Sequence, residues 1–534
     1  DVAVRYEAGA ATFYTADRFN DAVWVVKDEA VVRTFKAGRE PIALALTPDG
    51  RTLIAANHLP EQSPATFDAS AAVRFIDTQT GKTDVVRLIN GAMNVRDIVL
   101  SPDGKYVFIT GIIGHFQRMP NDVNGGWMNE NVLFVLDVKQ RKYIHTQSLD
   151  DYSIGSANPW GVSISDDEQF VIVAASGSCD VLLIHLPRFS AMLDDYAGYA
   201  PRKTEPVDFP MMMRVPVGLK GVRSAAMVNG QVFASSYFED ALMKITPNIS
   251  KPGGFVPGLV PKDILEIPRN KKLRPDTTTP YRDNIIKKNR LYSALPPFVL
   301  SAGIQFQREL IRLGPEPVWD NVRYGEMLFH DAVVCKEHWQ SCSSCHPDGR
   351  SDCLNWDLLN DGQDNPKNTK SLLLSHQTPP SMAHGVRREA ETAVRKGFET
   401  ILMIPAAEDE AQAVDEYLKN LTEVVSPHKM PNGELSKSAQ RGRRLFNSGK
   451  TGCSNCHPEP LFTDMQMHDA GTRSAVDTDD KFDTPTLIEV WRTAPYLHDG
   501  RYTALRQVFT EGKHYSKELT EPEIDDLVEY VLSL

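Results

Sequence analysis

Two short runs of this sequence combine cysteine and histidine at a spacing that suits covalent chemistry. Residues 342–346 read Cys-Ser-Ser-Cys-His, and residues 453–457 read Cys-Ser-Asn-Cys-His. In such a run two thiols can add across the vinyl groups of a haem, and the adjoining imidazole becomes an axial ligand of its iron. Paired zinc knuckles are the alternative, but each run ends in His and no second Cys/His pair completes a tetrahedral set. The sequence therefore predicts two covalently bound haem c groups, held by Cys342, Cys345 and His346 (haem 1) and by Cys453, Cys456 and His457 (haem 2).

The composition limits the kinds of binding partner and the cellular compartment that we expect for this protein. The formal net charge of the 534 residues is -12, which argues against nucleic-acid binding and favours a cationic redox partner. No apolar run approaches the length of about 18 residues that a membrane span requires. Because bacteria attach haem covalently outside the cytoplasmic membrane, we expect an export signal, since cleaved, before Asp1 and a periplasmic or cell-surface location.

Three cysteines remain once the haem runs are assigned: Cys179, Cys335 and Cys353. Cys335 and Cys353 flank the first haem run, and in an oxidising compartment they could form a disulfide. Two free buried thiols are the alternative, and the sequence leaves both open.

The first 300 residues contain an internal repeat. Short apolar segments with β-branched residues recur, each predicting one strand; they are residues 22–26, 72–77, 132–137, 181–184 and 241–245. A second repeated element joins a turn to a strand, as in Thr47-Pro48-Asp49-Gly50 and Ser101-Pro102-Asp103-Gly104, because Gly supplies the positive φ of a tight hairpin. A repeat of about 50 residues with this content is typical of propeller blades.

This region, taken as residues 1–315, resembles the YVTN-type β-propellers. The resemblance implies an all-β propeller of seven blades, although only five copies are legible. The first copy begins in mid-blade, so we expect a later strand to complete that blade and close the ring. Residues 250–300 are irregular and basic, which indicates a solvated loop or a docking patch for the acidic remainder.

The haem-bearing half is a duplication of a mainly α unit. Arg323–Phe329 precedes the first haem run and Gln440–Phe446 the second, and each delivers Gly-x-x-Leu-Phe on a helix. Each unit closes with an amphipathic helix, at 413–421 and 527–534. We therefore predict two cytochrome c domains, residues 320–425 (unit 1) and 430–534 (unit 2).

The run from Pro485 to Gly500, Pro-Thr-Leu-Ile-Glu-Val-Trp-Arg-Thr-Ala-Pro-Tyr-Leu-His-Asp-Gly, makes the resemblance specific. With the paired haem runs it resembles the bacterial di-haem cytochrome c peroxidase family, which includes the enzyme that matures methylamine dehydrogenase. The resemblance implies a peroxidatic haem 1 in unit 1 and an electron-transfer haem 2 in unit 2. In the family that this sequence resembles, the loop after the first haem run contains a His. The corresponding loop here, residues 354–362, contains no His. We therefore expect haem 1 to keep an open or water-occupied position, with His376 and His384 as later residues that could reach the iron.

The resemblance also implies a distal carboxylate and a route between the haems. Glu399 is the first choice for the distal acid, ahead of Glu389 and Glu391. The aromatic residue that the family places between its haems is here Ala383. Trp356 or Trp491 could replace it, or each could be an ordinary core residue.

Two further ligand sets follow from the resemblance. The family's sixth ligand of haem 2 aligns with Gly512, which has no side chain that could bind iron. We therefore prefer His514 as this ligand, ahead of its neighbour Tyr515 and of the thioethers of Met465 and Met467. The family also holds a calcium ion between its haems, and Asn368, Asp483 and Pro485 occupy the matching positions. The carboxylate of Asp483 suits a hard cation.

The predicted function is that of a periplasmic di-haem peroxidase that activates hydrogen peroxide at haem 1. Electrons would return through haem 2 from a small cytochrome or a cupredoxin. One alternative is a di-haem oxidase that modifies Trp or Tyr of a partner protein, and another is a non-enzymatic electron-transfer or sensing module. The coordination state of haem 1 separates the last from the two enzymes.

Overall fold

The computed structural model describes residues 1–7, 9–117, 128–151, 154–195, 202–203, 212–248, 305–358 and 364–534. A β-rich region precedes a mainly helical region that carries both haem runs. In the part of the chain described, no helix is both long and apolar enough to cross a membrane.

In its described residues the β-rich region contains five sheets in chain order, each built from four or more strands. All neighbouring strands in these sheets are antiparallel except Lys142–Ser148 and Arg202–Lys203, which pair in parallel. The first two sheets are Val2–Glu7, Ala10–Asp17, Ala22–Lys27 and Ala30–Lys36, then Pro41–Leu46, Thr52–Asn57, Ala72–Asp77 and Thr83–Arg87. The third is Ala92–Met93, Ile98–Leu100, Tyr106–Gly114, Asn129–Asp137, Lys142–Ser148 and Arg202–Lys203. The last two are Pro159–Ile164, Phe170–Ala175, Asp180–His185 and Met212–Pro216, then Val222–Val228, Gln231–Ser236, Ala241–Asn248 and Gln305–Arg312.

The repeat in the sequence corresponds to fixed places in these sheets. The short strand Ala92–Met93 lies off the main path of the third sheet and is left out of the strand numbering used from here on. With this numbering the five apolar segments are the third strands of their sheets, and the turn-plus-strand elements lead into the second strands. A side-chain bond recurs in the turns, from Thr47 Oγ1 to Asp49 Oδ1 (2.7 Å) and from Ser101 Oγ to Asp103 Oδ1 (2.6 Å). Gly50 and Gly104 both have φ of 67°, as the hairpin interpretation requires. The predicted strands and turns are confirmed.

Two expectations about the propeller are not met. The first sheet is complete within residues 2–36, because it has four consecutive strands of its own, so the expectation that a later strand completes it was wrong. Five sheets lie within the described ranges, so the count of seven blades is not confirmed. The first strands of sheets two to five each pack against the preceding sheet, in the manner of neighbouring blades. The basic stretch 250–300 falls outside the described residues.

The helical region contains two similar helix pairs. In unit 1, Asn321–His330 crosses Glu408–Lys419, and in unit 2, Lys437–Phe446 crosses Glu521–Leu532. The other α-helices in the described ranges are Leu186–Asp195 in the β-rich region, then Cys342–Cys345, Ala390–Lys396, Cys453–Cys456 and Leu505–Thr510.

Each crossing depends on a glycine that the sequence repeat had singled out. A Cβ on Gly325 would lie 1.8 Å from the carbonyl oxygen of Ala413, and one on Gly442 would lie 1.9 Å from that of Asp526. The partner in both cases is helix backbone, which cannot move away without separating the helices. Only glycine therefore allows the two helices of each unit to touch.

This crossing yields a test of the fold. We expect Gly442→Ala to lower the free energy of unfolding by about 2 kcal/mol or more, because the added methyl group meets backbone and not a flexible side chain. Gly449→Ala is the control, since a Cβ there meets nothing within 4 Å. Thermal unfolding of the holoprotein, followed by circular dichroism, measures both variants. Equal stability of the two would contradict the proposed close crossing.

Candidate haem sites

The two haem runs fold into matching one-turn helices, Cys342–Cys345 and Cys453–Cys456. His346 Nδ1 lies 2.9 Å from the carbonyl oxygen of Arg350, and His457 Nδ1 lies 2.9 Å from that of Phe462. A carbonyl oxygen only accepts, so Nδ1 carries the proton and Nε2 keeps its lone pair for a metal. Burial lowers the pKa of both histidines, which favours the neutral, ligating form. Both sites fit an axially ligated haem c.

The β-rich region holds the first haem run in place. Asn158 Nδ2 donates to Ser341 Oγ at 2.8 Å, and Ser344 Oγ donates to Asn158 Oδ1 at 2.7 Å. Asn129 Nδ2 lies 3.5 Å from Cys345 Sγ, the predicted point of thioether attachment. Haem 1 is therefore predicted to lie against the β-rich region.

An apolar cluster extends this contact beside Cys345. Leu354 and Trp356 of unit 1 pack with Met93, Ile112 and Met128 of the third sheet and its flanking residues. Leu354 has no exposed surface, and Cys345 packs against the same cluster. These side chains exclude water from the edge where haem 1 is attached.

Asp348, two residues after His346, is surrounded by guanidinium groups. Arg18 Nη2 lies 2.6 Å from Asp348 Oδ2, with Arg96 at 3.5 Å and Arg492 at 3.7 Å. Burial alone would raise the pKa of this carboxyl, but Arg18 and Arg96 hold it well below its usual range. Arg18 and Arg96 belong to the β-rich region and Arg492 to unit 2, so this one carboxylate joins three parts of the chain.

Asp352 is a buried carboxyl that sequence reasoning did not select. It has no exposed surface, its backbone N–H donates to the Cys345 carbonyl at 3.0 Å, and its Oδ2 accepts from Trp356 Nε1 at 2.8 Å. Burial raises the pKa of Asp352 to about 7. In unit 2 the backbone N–H of Asp464 donates to the Cys456 carbonyl in the same way, at 2.9 Å. Comparing the two repeats would have revealed it.

The two units share a register that allows position-by-position comparison. Ser381 bridges to Arg387 in unit 1, and Tyr496 bridges to Tyr502 in unit 2. Gly385 and Gly500 follow at the same interval, each with φ of 60°, and helices begin at 390 and 505. Matching positions therefore lie 115 residues apart (381 to 496, 385 to 500, 390 to 505).

The same offset of 115 residues pairs Glu399 with His514, the two residues predicted for the open sides of the haems. The backbone differs at this pair, because Glu399 lies in the π-helical turn Gly397–Ile401, whereas Lys513 and Tyr515 on either side of His514 have positive φ. His514 Nδ1 is buried without a hydrogen-bond partner, and burial, with His457 nearby, lowers the pKa of this histidine to about 4. Glu399 is half exposed, with Lys396 Nζ at 2.6 Å from its Oε2. The offset thus pairs a side chain that can bind a metal, in unit 2, with an acid in unit 1.

The two other histidines considered for haem 1 have neighbours of their own. His376 Nε2 lies 3.0 Å from Asp415 Oδ1, and both side chains are buried. The His384 ring lies 4.8 Å from that of Phe482, which stacks on His498 at 3.9 Å. An aromatic group thus lies between the units, although no local sequence signal marked Phe482.

The tryptophans considered for electron transfer lie against the β-rich region. Trp356 belongs to the apolar cluster beside Cys345. Trp491 contacts Phe19 edge to face at a centroid distance of 5.3 Å. Ala383 contributes its backbone, since its carbonyl accepts from the Asp483 N–H at 2.9 Å.

The predicted calcium ligands lie on short two-stranded ribbons, Asn368 in unit 1 and Asp483 in unit 2, and Pro485 follows on the surface. Asp483 Oδ1 is buried without a hydrogen-bond partner, which fits a cation. Lys370 Nζ, however, lies 2.6 Å from Asp483 Oδ2 and already supplies a positive charge. The residues therefore fit a calcium ion only in part.

The remaining ligand candidates are placed as follows. Tyr515 is half exposed, and Met467 packs against Gly385 of unit 1. Cys335 and Cys353 are free, buried thiols, which is the second of the two arrangements that the sequence left open. Burial raises the pKa of Cys335 to about 12 and that of Cys353 to about 11, which keeps both protonated.

Comparison with known proteins finds relatives at low identity, and no family model matches the chain. The hydrazine synthase subunit gamma of Kuenenia stuttgartiensis is 27% identical over 274 residues, which are 40% of this chain and 77% of that protein. The methylamine utilization protein MauG of Methylophilus methylotrophus is 26% identical over 37% of this chain and 73% of its own length. The cytochrome c551 peroxidase of Nitrosomonas europaea is 22% identical over 44% of this chain and 86% of its own. The relatives thus include a cytochrome c peroxidase and a MauG protein, in agreement with the resemblance seen in the motifs.

Proposed function

We propose that this protein is an exported di-haem c-type oxidoreductase that activates hydrogen peroxide at haem 1 and relays electrons through haem 2. Both haem runs have the local geometry of an attachment site with a neutral axial histidine. The relatives include a peroxidase and a MauG protein. Together these support a peroxidase-type activity.

One observation carries the proposal, namely the different residues that the offset of 115 residues pairs in the two units. His514 of unit 2 has a buried, unpartnered ring nitrogen and suits a six-coordinate, electron-transferring haem. Glu399 of unit 1 is a carboxylate, which moves protons and leaves the iron free for a small ligand. His376, the nearby alternative ligand, is hydrogen-bonded to Asp415. A gene duplication has thereby yielded one reactive and one relaying site.

The residues of the chain divide the work accordingly. Bound haem supplies the redox chemistry of peroxide cleavage. His346 holds the proximal side, with its proton on Nδ1 directed to Arg350. Glu399 moves a proton at its carboxylate, which lies beside the Lys396 ammonium. Leu354 and Trp356 keep water from the attachment edge of haem 1.

The proposal extends to the rest of the molecule. The β-rich region is a β-propeller that holds unit 1, and the cytochrome c domains cover residues 320–425 and 430–534. Electrons come from a small redox protein, such as a cytochrome c or a cupredoxin, and the acidic surface favours a cationic donor. A calcium ion at Asn368, Asp483 and Pro485 remains part of the proposal, but no catalytic step depends on it.

Electron paramagnetic resonance of the fully oxidised protein tests the proposal. We expect one high-spin and one low-spin haem, and stoichiometric hydrogen peroxide should abolish the high-spin signal because haem 1 is open. His514→Ala assigns the signals, since it should convert the low-spin haem to high spin. Two low-spin haems that do not respond to peroxide would contradict the proposal and favour an electron carrier.

The distal acid has its own test. Glu399→Gln should slow the reaction of haem 1 with peroxide about a hundredfold or more, because the amide cannot transfer the proton. Glu391→Gln is the matched control, since Glu391 is a partly exposed carboxylate in the same segment that lies 3.7 Å from Lys419. Stopped-flow absorbance gives both rates. A normal rate in Glu399→Gln would remove this residue from the mechanism.

The pKa of Asp352 predicts a dependence of stability on pH. The folded-state value of about 7 lies above the ordinary 3.8, so the folded state favours the protonated acid and loses stability as pH rises from about 4 to about 7. Asp352→Asn should remove this loss, and the stability of the variant relative to wild type should increase by up to about 1.4 kcal/mol per pH unit in that range.

Thermal unfolding of the holoprotein at pH 5, 6, 7 and 8 measures the difference. Asp464→Asn is the control, because the hydrogen bond from His468 and other contacts hold the pKa of Asp464 below its ordinary value despite partial burial. Its stability relative to wild type should therefore stay constant above pH 5. A constant difference for Asp352→Asn as well would show that Asp352 is ionised in the folded protein.

A further inference from the structure

A buried ion pair between the two units lies directly behind the predicted proximal ligand of haem 1. Arg350, whose carbonyl accepts from His346 Nδ1, directs its guanidinium group at Glu489 of unit 2. Arg350 Nε lies 2.9 Å from Glu489 Oε2, and Nη2 lies 2.8 Å from Oε1. The side chains are 8% and 1% exposed, so water does not screen this bidentate pair.

Other contacts fix both partners. Val424 N–H donates to Glu489 Oε1 at 2.6 Å, and Arg350 Nη2 donates to the Thr422 carbonyl at 2.8 Å. Arg492 Nη1 lies 3.8 Å from Glu489 Oε2. The carboxylate is thus held by the segment that joins the units as well as by its own unit, and it can hold Arg350 in one position.

The second haem site has no counterpart at the matching position. The shift of 115 residues pairs Glu489 with Leu374, and the two have nearly the same backbone, with φ of 58° and 59°. A leucine cannot anchor a guanidinium group. His457 donates to the Phe462 carbonyl at the same distance, 2.9 Å, but Phe462 has an apolar side chain that cannot form an ion pair. The ionic support is therefore specific to His346.

We propose that Glu489 is a positioning residue for haem 1. By holding Arg350, Glu489 fixes the carbonyl that accepts the hydrogen bond from His346 Nδ1. It thereby sets the orientation and basicity of the imidazole that binds the iron. Its charge also balances the buried Arg350 guanidinium. Unit 2 thereby tunes the reactivity of the haem in unit 1. This inference rests on the proposed function only in taking His346 as the proximal ligand.

Glu489→Gln tests the proposal because it keeps the shape and removes the charge. The uncompensated guanidinium should favour the less positive ferrous iron, so we expect the reduction equilibrium of haem 1 to shift about tenfold toward the ferrous form while haem 2 stays unchanged. Glu489→Asp keeps the charge and should restore most of the wild-type value. Redox titration of the holoprotein, followed by visible absorbance and electron paramagnetic resonance, resolves the two haems.

The control is Asp526→Asn, which breaks another bidentate pair, with Arg441 at 2.6 and 2.5 Å, within unit 2. It should lower stability without moving the equilibrium of haem 1. Equal shifts of both haems in Glu489→Gln, or a loss of stability with no shift at haem 1, would overturn the proposal. If Glu489→Gln does not fold, Arg350→Gln removes the opposite charge of the pair and should shift the equilibrium of haem 1 toward the ferric form while haem 2 stays unchanged. Equal shifts of both haems, or no shift at haem 1, in that variant would overturn the proposal. Because the titration does not involve peroxide, an inactive wild-type protein would be recognised separately.

Discussion

The arrangement of the β-rich region and the two haem units depends on burying guanidinium groups against carboxylates from distant parts of the chain. Asp348 receives Arg18, Arg96 and Arg492, and Glu489 receives Arg350. A buried charge without its partner lowers the stability of the fold. Each carboxylate therefore requires its arginines to be in contact with it in the folded protein. Both networks lie beside His346. The contacts that hold the regions together therefore also fix the surroundings of His346, the proposed iron ligand of haem 1.

The duplication explains how one architecture supports two different sites. Each ribbon donates across the unit boundary, from Asn368 N to the His498 carbonyl and from Asp483 N to the Ala383 carbonyl. Residues 383 and 498 are themselves a matching pair, so the exchange is reciprocal. The two units nevertheless differ at single positions of the same offset, where Glu399 corresponds to His514 and Leu374 corresponds to Glu489. At Leu374 and Glu489 the backbone φ angles match closely, so the difference there lies in the side chains.

Local patterns in the sequence predicted the local structure well. The Asp-Gly turns, the third strands of the sheets and the crossing helices all follow from short-range chemistry. The haem runs were equally clear, since five neighbouring residues define each. The contacts that join the regions were not predictable in this way, because Arg350 and Glu489 lie 139 positions apart and neither has an unusual local pattern. The first sheet was wrongly expected to need a later strand, because its first strand has no preceding repeat in the sequence with which it could be compared.

The hold of Asn129 and Asn158 on the first haem run bears on how the protein matures. Ser343 and Ser344 between the two thiols are almost fully buried, at 2% and 0% exposure, whereas Asn455 of the second run is exposed. The attachment machinery must reach both thiols of a run to join them to a porphyrin. On the proposed assignment of the haems, the first run should therefore be joined to its haem before the β-rich region closes over it, while the second run stays accessible for longer. The exposure of the two runs in the folded protein thus predicts an order of attachment, with haem 1 before haem 2.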